Sequence, residues 1–157
     1  MKDLSAVILT QAFWKNFNRI ELHLLKIYED KMNIPQNLKY TKEHEWVLTE
    51  GNVGTIGVTD YAQGELGDVV FVDIDPGLSE IKKGESIGTI EAVKTVSDIF
   101  APFSGKVLEI NEQLKDSPES VNSDPYESGW MLKVEIKDLS ELDDLLDAAA
   151  YQALIGQ

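Results

Sequence analysis

Between Glu45 and Ile136 the chain is written in short alternating runs, and that pattern excludes most folds. Glu45–Thr49, Val53–Val58, Val69–Ile74, Ser86–Ile90, Lys106–Ile110 and Trp130–Ile136 are runs of five to seven residues rich in Val and Ile. Successive side chains of a strand point to opposite faces, so alternation over such lengths reads as half-buried strands. Gly51-Asn52, Pro76-Gly77, Lys83-Gly84 and Ser104-Gly105 punctuate the runs. Six or more short strands with turns at these intervals predict a compact β sandwich or barrel. Thr59 or Asp60 can cap a short helix ending near Leu66, with Gly67 as its stop. Ser117-Pro118-Glu119-Ser120 predicts another short helical turn. Residues 138–155 read as one C-terminal helix, capped by Asp138 or Ser140, with Leu139, Leu142, Leu145, Leu146, Ala149 and Ala153 as its apolar stripe.

Residues 1–31 follow a different rule. Leu9, Phe13, Phe17, Ile20, Leu24 and Ile27 recur at helical spacing, and no Gly or Pro interrupts them. The segment reads as an N-terminal amphipathic helical extension, ended by Asn33-Ile34-Pro35. Two readings stay open for it: an ordinary helix packed on the domain, or upstream sequence before a start at Met32. The charge balance changes at the same place. Residues 1–31 hold five basic and four acidic side chains, whereas residues 32–157 hold nine Lys, no Arg and 24 acidic side chains, a net −15. We therefore divide the chain at that point, with a second, β-rich domain in residues 32–157.

This acidity narrows the function classes. A domain at −15 without Arg repels a phosphate backbone and an anionic membrane, which argues against both as partners. A protein partner with a basic docking face is the natural complement. There is no Cys, so disulfide scaffolds, thiolate metal sites and Cys nucleophiles are excluded, and His23 and His44 are not spaced as a zinc pair. No nucleophile–base–orienter set stands out, so an enzyme is not expected. No membrane-length apolar stretch and no signal-peptide pattern is present, and the expected compartment is the cytoplasm.

One segment carries chemistry. In Gly88-Thr89-Ile90-Glu91-Ala92-Val93-Lys94-Thr95-Val96-Ser97-Asp98-Ile99-Phe100-Ala101-Pro102-Phe103-Ser104-Gly105, two β runs flank a four-residue break that puts Lys94 at a hairpin tip. A turn lysine alone is ordinarily a solubilising residue. The wider segment, however, resembles the lipoyl-attachment motif of the glycine cleavage system H-protein family. Glu91 stands three positions before the lysine, and Ser97, Asp98, Phe100, Ala101, Pro102, Ser104 and Gly105 follow as in that family. Three further blocks resemble it in the same order: Tyr40–Trp46, Gly57–Gln63 with Leu66–Val70, and Val121–Trp130. Ala92 and Thr95 depart from the residues many members carry there, Ser and Ala. The methionines that flank the lysine of biotin carriers are absent, which favours lipoate. The resemblance covers roughly residues 34–154.

What the resemblance implies is specific. The fold would be a lipoyl/biotinyl-type barrel-sandwich hybrid of two small antiparallel sheets, mainly β, with short helices and a C-terminal helix. The chain would be a non-catalytic shuttle bearing lipoate covalently on Lys94. It would carry an aminomethyl group from the pyridoxal-phosphate-dependent glycine decarboxylase to aminomethyltransferase, and dihydrolipoyl dehydrogenase would reoxidise it. A lipoyl ligase or transferase would load it, reading Glu91 and Asp98 as a charged rim; the bland alternative for both is edge-strand solubility. Glu43, His44 and Glu45 would line a groove sheltering the cationic arm, where carboxylates favour an amine; a packed structural role is the alternative for His44. Trp46 and Trp130 are expected in the core. Gly67, Gly105 and Gly129 are expected to meet tight backbone geometry, and Asn122, Asp124 and Tyr126 to form a polar turn fixing the C-terminal half. A shuttle that visits several enzymes is expected to be a monomer. Two other readings remain at this point: a lipoylated relay for 2-oxoacid dehydrogenases, and an unmodified β-rich interaction module.

Overall fold

The computed structural model describes residues 32–157, and the compact unit within them runs from Ile34 to Gln157. The helical extension expected over residues 1–31 lies outside the described residues. Among the described residues the strands are β1 (Lys39–Tyr40), β2 (Glu45–Glu50), β3 (Val53–Val58), β4 (Val69–Asp73), β5 (Glu80–Ile81), β6 (Ser86–Ala92), β7 (Val96–Phe100), β8 (Gly105–Ile110) and β9 (Leu132–Ile136). The helices are α1 (Asp60–Leu66), α2 (Gln113–Asp116), α3 (Ser120–Ser123), a 3-10 segment (Leu139–Asp144) and α4 (Ala148–Ile155). One sheet runs β1-β2-β3-β9-β8-β5 and the other β4-β6-β7, with every pairing antiparallel. The mainly β architecture agrees with the period-two runs, and its two antiparallel sheets with the fold that the family resemblance implied.

Alternation places the core. In β9, Leu132, Val134 and Ile136 are buried while Lys133 is half-buried and Glu135 exposed. Their inward faces join Val47, Ile56, Ile90, Ile99 and Phe103 in one cluster between the sheets. Each such side chain contributes roughly 1.5–3 kcal/mol on burial. Strands β8 and β9 of the larger sheet approach closely where β8 begins: a Cβ on Gly105 would stand 2.1 Å from the Glu135 carbonyl oxygen, a distance no side chain tolerates. A second cluster gathers Ile34, Leu38, Tyr40, Trp46, Ala148 and Tyr151. Trp46 is buried there, and its indole N–H donates to the Pro125 carbonyl at 3.0 Å. Trp130 is only half-buried, with the Lys133 ammonium 4.5 Å from its ring centre.

The C-terminal segment differs from the single helix expected over residues 138–155. Asp138 does cap its start, accepting from the Ser140 N–H, but the helix is 3-10 and ends at Asp144. Leu145 is extended, and Leu146 and Tyr40 exchange two backbone hydrogen bonds of 2.8 Å as an isolated bridge. A new helix then begins, capped by Asp147. The residues it buries are Ala148 and Tyr151, while Ala149 and Ala153 are exposed. An aromatic side chain buries roughly 150–250 Å². Seating Tyr151 therefore outweighs continuing a stripe that ends in two alanines, and the chain breaks the helix to do it.

Candidate functional site

Lys94 sits at the β6–β7 turn. The ladder runs Thr89 opposite Asp98, Ile90 opposite Ser97 and Glu91 opposite Val96. The Ala92 N–H donates to the Thr95 carbonyl at 2.8 Å and closes the turn. Ala92 is buried; Val93, Lys94 and Thr95 are exposed. The tip is also tied sideways, because the Val93 N–H donates to the Asp68 carbonyl at 3.1 Å.

The lysine stem rests on a bare stretch of backbone. A Cβ on Gly67 would lie 3.4 Å from Lys94 Cε and 3.9 Å from Nζ. Gly67 has φ 79° and ψ −157°, a conformation that side-chain-bearing residues rarely adopt. Asn122 holds this turn from the short helix α3. Its Oδ1 accepts from the Val69 N–H at 2.9 Å, and its Nδ2 donates to the Gly67 carbonyl at 2.9 Å and to Gln63 Oε1 at 3.0 Å. Three bonds from one side chain fix both sides of the loop under the hairpin. Asn122 thus belongs to the surroundings of Lys94, a placement that its reading as part of a C-terminal polar turn did not supply.

A groove of about 300 Å³ lies along the hairpin, and its lining includes Glu43, His44, Glu45, Tyr61, Glu65, Ser97 and Asp98. Helix α1 supplies Tyr61 and Glu65 from one face, at the i, i+4 spacing that brings side chains together. Thr59 caps that helix by accepting from the Ala62 N–H at 3.2 Å.

His44 is fixed from several directions. Its φ of 74° is the one positive value at a non-glycine among the described residues. Nδ1 lies 2.9 Å from the Tyr151 hydroxyl, which lies 2.7 Å from Thr59 Oγ1, and the Thr59 N–H donates to the His44 carbonyl at 3.0 Å. The ring packs on Tyr61 with centroids 4.8 Å apart. Burial lowers the imidazole pKa, with Glu43 and Glu65 opposing that shift through their charge. Burial likewise pushes the Tyr151 phenol up to about 12. The structure therefore gives His44 both a place on the groove and a packed, hydrogen-bonded role.

Glu45 is almost fully buried beneath the groove. One carboxylate oxygen accepts from the Phe100 N–H at 2.9 Å and the other from the Thr41 hydroxyl. Burial raises its pKa, and the bonds from Thr41 and Phe100 pull in the opposite direction. Glu43, Glu65 and Asp98 are exposed carboxylates around the same space. Asp98 accepts from the Ser86 hydroxyl at 2.9 Å, and Glu91 stands exposed in register between Phe71 and Val96. Tyr61 and Glu65 were not assigned to a site from sequence, and Ser97 was named only as part of the attachment motif; only the i, i+4 spacing of the first two offered a signal. Among the described residues no cluster of His, Asp and Glu is arranged to hold a metal ion, and no helix is long and apolar enough to cross a membrane.

The arrangement offers one exposed primary amine on a rigid hairpin, a cleared seat for its stem and a carboxylate-rich groove beside it. Those features suit a lysine that bears an acyl arm with a cationic end. Comparison with known proteins identifies the family. The family model described as glycine cleavage H-protein matches residues 38–157. A glycine cleavage system H protein of Staphylococcus haemolyticus is 59% identical over 126 residues, covering 80% of this chain and all of that protein. One from Staphylococcus carnosus is 57% identical over the same length and coverage. The crystal structure of a glycine cleavage system H protein from Mycobacterium marinum superposes with a TM-score of 0.72 at 35% identity, covering 79% of this chain and all of that one. With the family model matching residues 38–157 and the staphylococcal relatives 57% and 59% identical over their whole length, the chain belongs to the glycine cleavage H-protein family.

Proposed function

We propose that this chain carries lipoate in amide linkage on Lys94 and shuttles an aminomethyl group from glycine decarboxylase to aminomethyltransferase in the cytoplasm. Family membership makes it a component of the glycine cleavage system, and a carrier there rather than an enzyme. The observation that carries the finer reading is Lys94 itself, exposed at a hairpin tip, seated on Gly67 and flanked by the carboxylate groove. Loading by a lipoyl ligase or transferase requires attack of the neutral Lys94 amine on an activated lipoyl carbonyl. The amide C–N bond forms as the leaving group departs, and the nitrogen gives up its proton. The lipoyl group supplies the disulfide–dithiol chemistry, with dihydrolipoyl dehydrogenase as the enzyme that reoxidises it. The chain's own residues present and shelter the arm. Glu43 and Glu65 favour a cationic end in the groove, joined by Asp98, and Glu45 adds charge from beneath whenever it is ionised. Glu91 and Asp98 form the rim that the ligase reads. A monomer suits a protein that must release each partner to reach the next.

The test is reconstitution. Protein loaded by a purified lipoate–protein ligase with ATP and lipoate is expected to support glycine-dependent bicarbonate exchange by glycine decarboxylase, and unloaded protein is not. Equal exchange with and without lipoate would overturn the reading.

Association with the decarboxylase is expected to be electrostatically steered. Residues 32–157 carry −15, and acylation of Lys94 removes one further positive charge. The second-order rate should fall severalfold from low salt to about 0.3 M, where the Debye length is well under about 10 Å. Glu91→Gln or Asp98→Asn should lower the low-salt rate, since rim charges act mainly on encounter. Asp143→Asn should matter less. Asp143 is the better control because the neighbouring Asp144 already pairs with Lys83 at 2.6 Å. A rate flat across the salt range would assign the acidity to solubility alone.

The unit from Ile34 to Gln157 contains both hydrophobic clusters. A chain beginning at Met32 is accordingly expected to unfold cooperatively and to accept lipoate at the full-length rate. Loss of the cooperative transition in urea would make the first 31 residues part of the core.

A further inference from the structure

The β4-β6-β7 sheet exposes large apolar residues near Lys94, where solvent should favour polar ones. Phe71, Glu91 and Val96 form one rung across the three strands. The bulge between Val69 and Phe71 leaves both Val70 and Phe71 exposed, at 52% and 43%. Val93 and Val96 flank Lys94 closely and are 76% and 61% exposed. Among the described residues, four of the seven exposed large hydrophobics lie on these strands and their turn. Scattered exposed apolar residues mean nothing, but a group gathered on one hairpin and its neighbouring strand, beside an exposed amine, marks a surface that something covers. The charges around it have one sign. Asp68, Asp73, Glu91 and Asp98 are exposed there, and Lys94 is the sole basic residue in β4, β6, β7 and the connecting turn.

We propose that the Phe71–Val96–Val93 patch is the footprint of the enzyme that acylates Lys94, a partner with an apolar centre and a basic rim. The inference rests on the carrier reading above and names the partner of that same hairpin. Reach decides among partners. An unmodified lysine extends only four methylenes from the backbone, so its acylating enzyme must bring the reactive carbonyl onto the tip and cover Val93 and Val96 as it does. Enzymes served afterwards meet the end of a long arm and need not press on these residues. The apolar centre supplies residence and the acidic surround supplies encounter and orientation. Val93 and Val96 are also held in place for docking, because the Ala92–Thr95 and Val93–Asp68 backbone bonds fix the turn before any partner arrives.

The experiment measures initial acylation rates with purified lipoate–protein ligase, ATP and lipoate as the concentration of full-length carrier is varied. Phe71→Ser with Val96→Ser is expected to raise KM about tenfold while kcat stays within about twofold, about 1.4 kcal/mol of docking. Phe71→Leu with Val96→Ile keeps the patch apolar and is expected to restore most of the loss. Leu108→Ser with Leu139→Ser, an equally exposed apolar pair away from the hairpin, is expected to leave KM unchanged. Circular dichroism melts check folding; if the serine pair melts early, Val96→Ser alone carries the comparison. A KM unmoved by the serine changes overturns the footprint, as does an equal rise in the Leu108 and Leu139 pair. Wild-type protein that takes no acyl group on Lys94 overturns the carrier reading and the footprint with it, whereas normal acylation with no KM effect removes the footprint alone.

Discussion

Replacing Lys94 by Arg is expected to abolish the lipoyl mass increment completely while leaving the unfolding curve in place. The chemistry requires a nitrogen that can lose a proton and attack a carbonyl. A guanidinium keeps its proton at any pH the protein survives and delocalises its electron pair, so it cannot replace the amine. The substitution preserves the positive charge, so docking by an acid-seeking or cation-seeking surface is not confounded. Stability should not move, because the Lys94 side chain is exposed and among the described residues forms no ion pair with a carboxylate. The other eight lysines after Met32 offer no equivalent position. Lys83, Lys115 and Lys133 are paired with Asp144, Glu112 and Glu109, and none of the eight lies on the β6–β7 turn. Intact mass after exposure to ligase, ATP and lipoate is the measurement, with peptide mapping on the wild type. Any lipoyl increment surviving in Lys94→Arg would show that the hairpin is not the sole attachment point.

What the sequence made legible is what local physics decides. Helix α1 was read to within a residue because its signals are short-range: Thr59 caps it and Gly67 leaves it at φ 79°. The longer strands were legible because alternation survives wherever one face is buried. The two-residue strands β1 and β5 were not, since two residues carry no period. The C-terminal helix was read as continuous because Leu145 and Leu146 extend the apolar stripe. Its break depends on Tyr40, more than one hundred residues away, which takes Leu146 into a bridge. The hairpin and Lys94 were legible from pattern and family resemblance together. The groove was less so. His44 reads as one polar residue among several, and nothing local announces that Tyr151 and Thr59 hold its ring and backbone. Asn122 was read as a turn residue of its own segment, yet its three bonds go to the loop beneath Lys94. Sequence distance hides such contacts because side-chain hydrogen bonds have no periodicity.

Glu45 is where fold and site meet, and it provides the second large effect. Its carboxylate joins β2 to the end of β7 through the Phe100 N–H, so it holds the groove wall against the hairpin strand. Glu45→Ala strands that half-buried N–H, removes the acceptor of the Thr41 hydroxyl and leaves a void; a loss of about 2–4 kcal/mol is expected. Glu45→Gln should behave in the opposite way at neutral pH. A glutamine carbonyl still accepts from Phe100, and its amide can donate to Thr41 Oγ1, so geometry is kept while the buried charge goes. The pH dependence distinguishes these cases. Burial raises the Glu45 pKa above its unfolded value despite the bonds that pull it down. The folded state therefore binds more protons than the unfolded state between the two values, and stability falls as pH rises through them. The favourable contribution is complete below the ordinary carboxylate pKa and is lost as pH climbs past the raised folded one. Wild type and Glu45→Gln should thus match in acid, and the variant should be the more stable of the two at pH 8. Urea unfolding of both proteins from pH 4 to pH 8 makes the comparison, since every other titrating group cancels in the difference. If Glu45→Gln loses as much stability at pH 8 as Glu45→Ala, the ionised carboxylate is itself what binds β2 to β7, and its hydrogen bonds outweigh its desolvation.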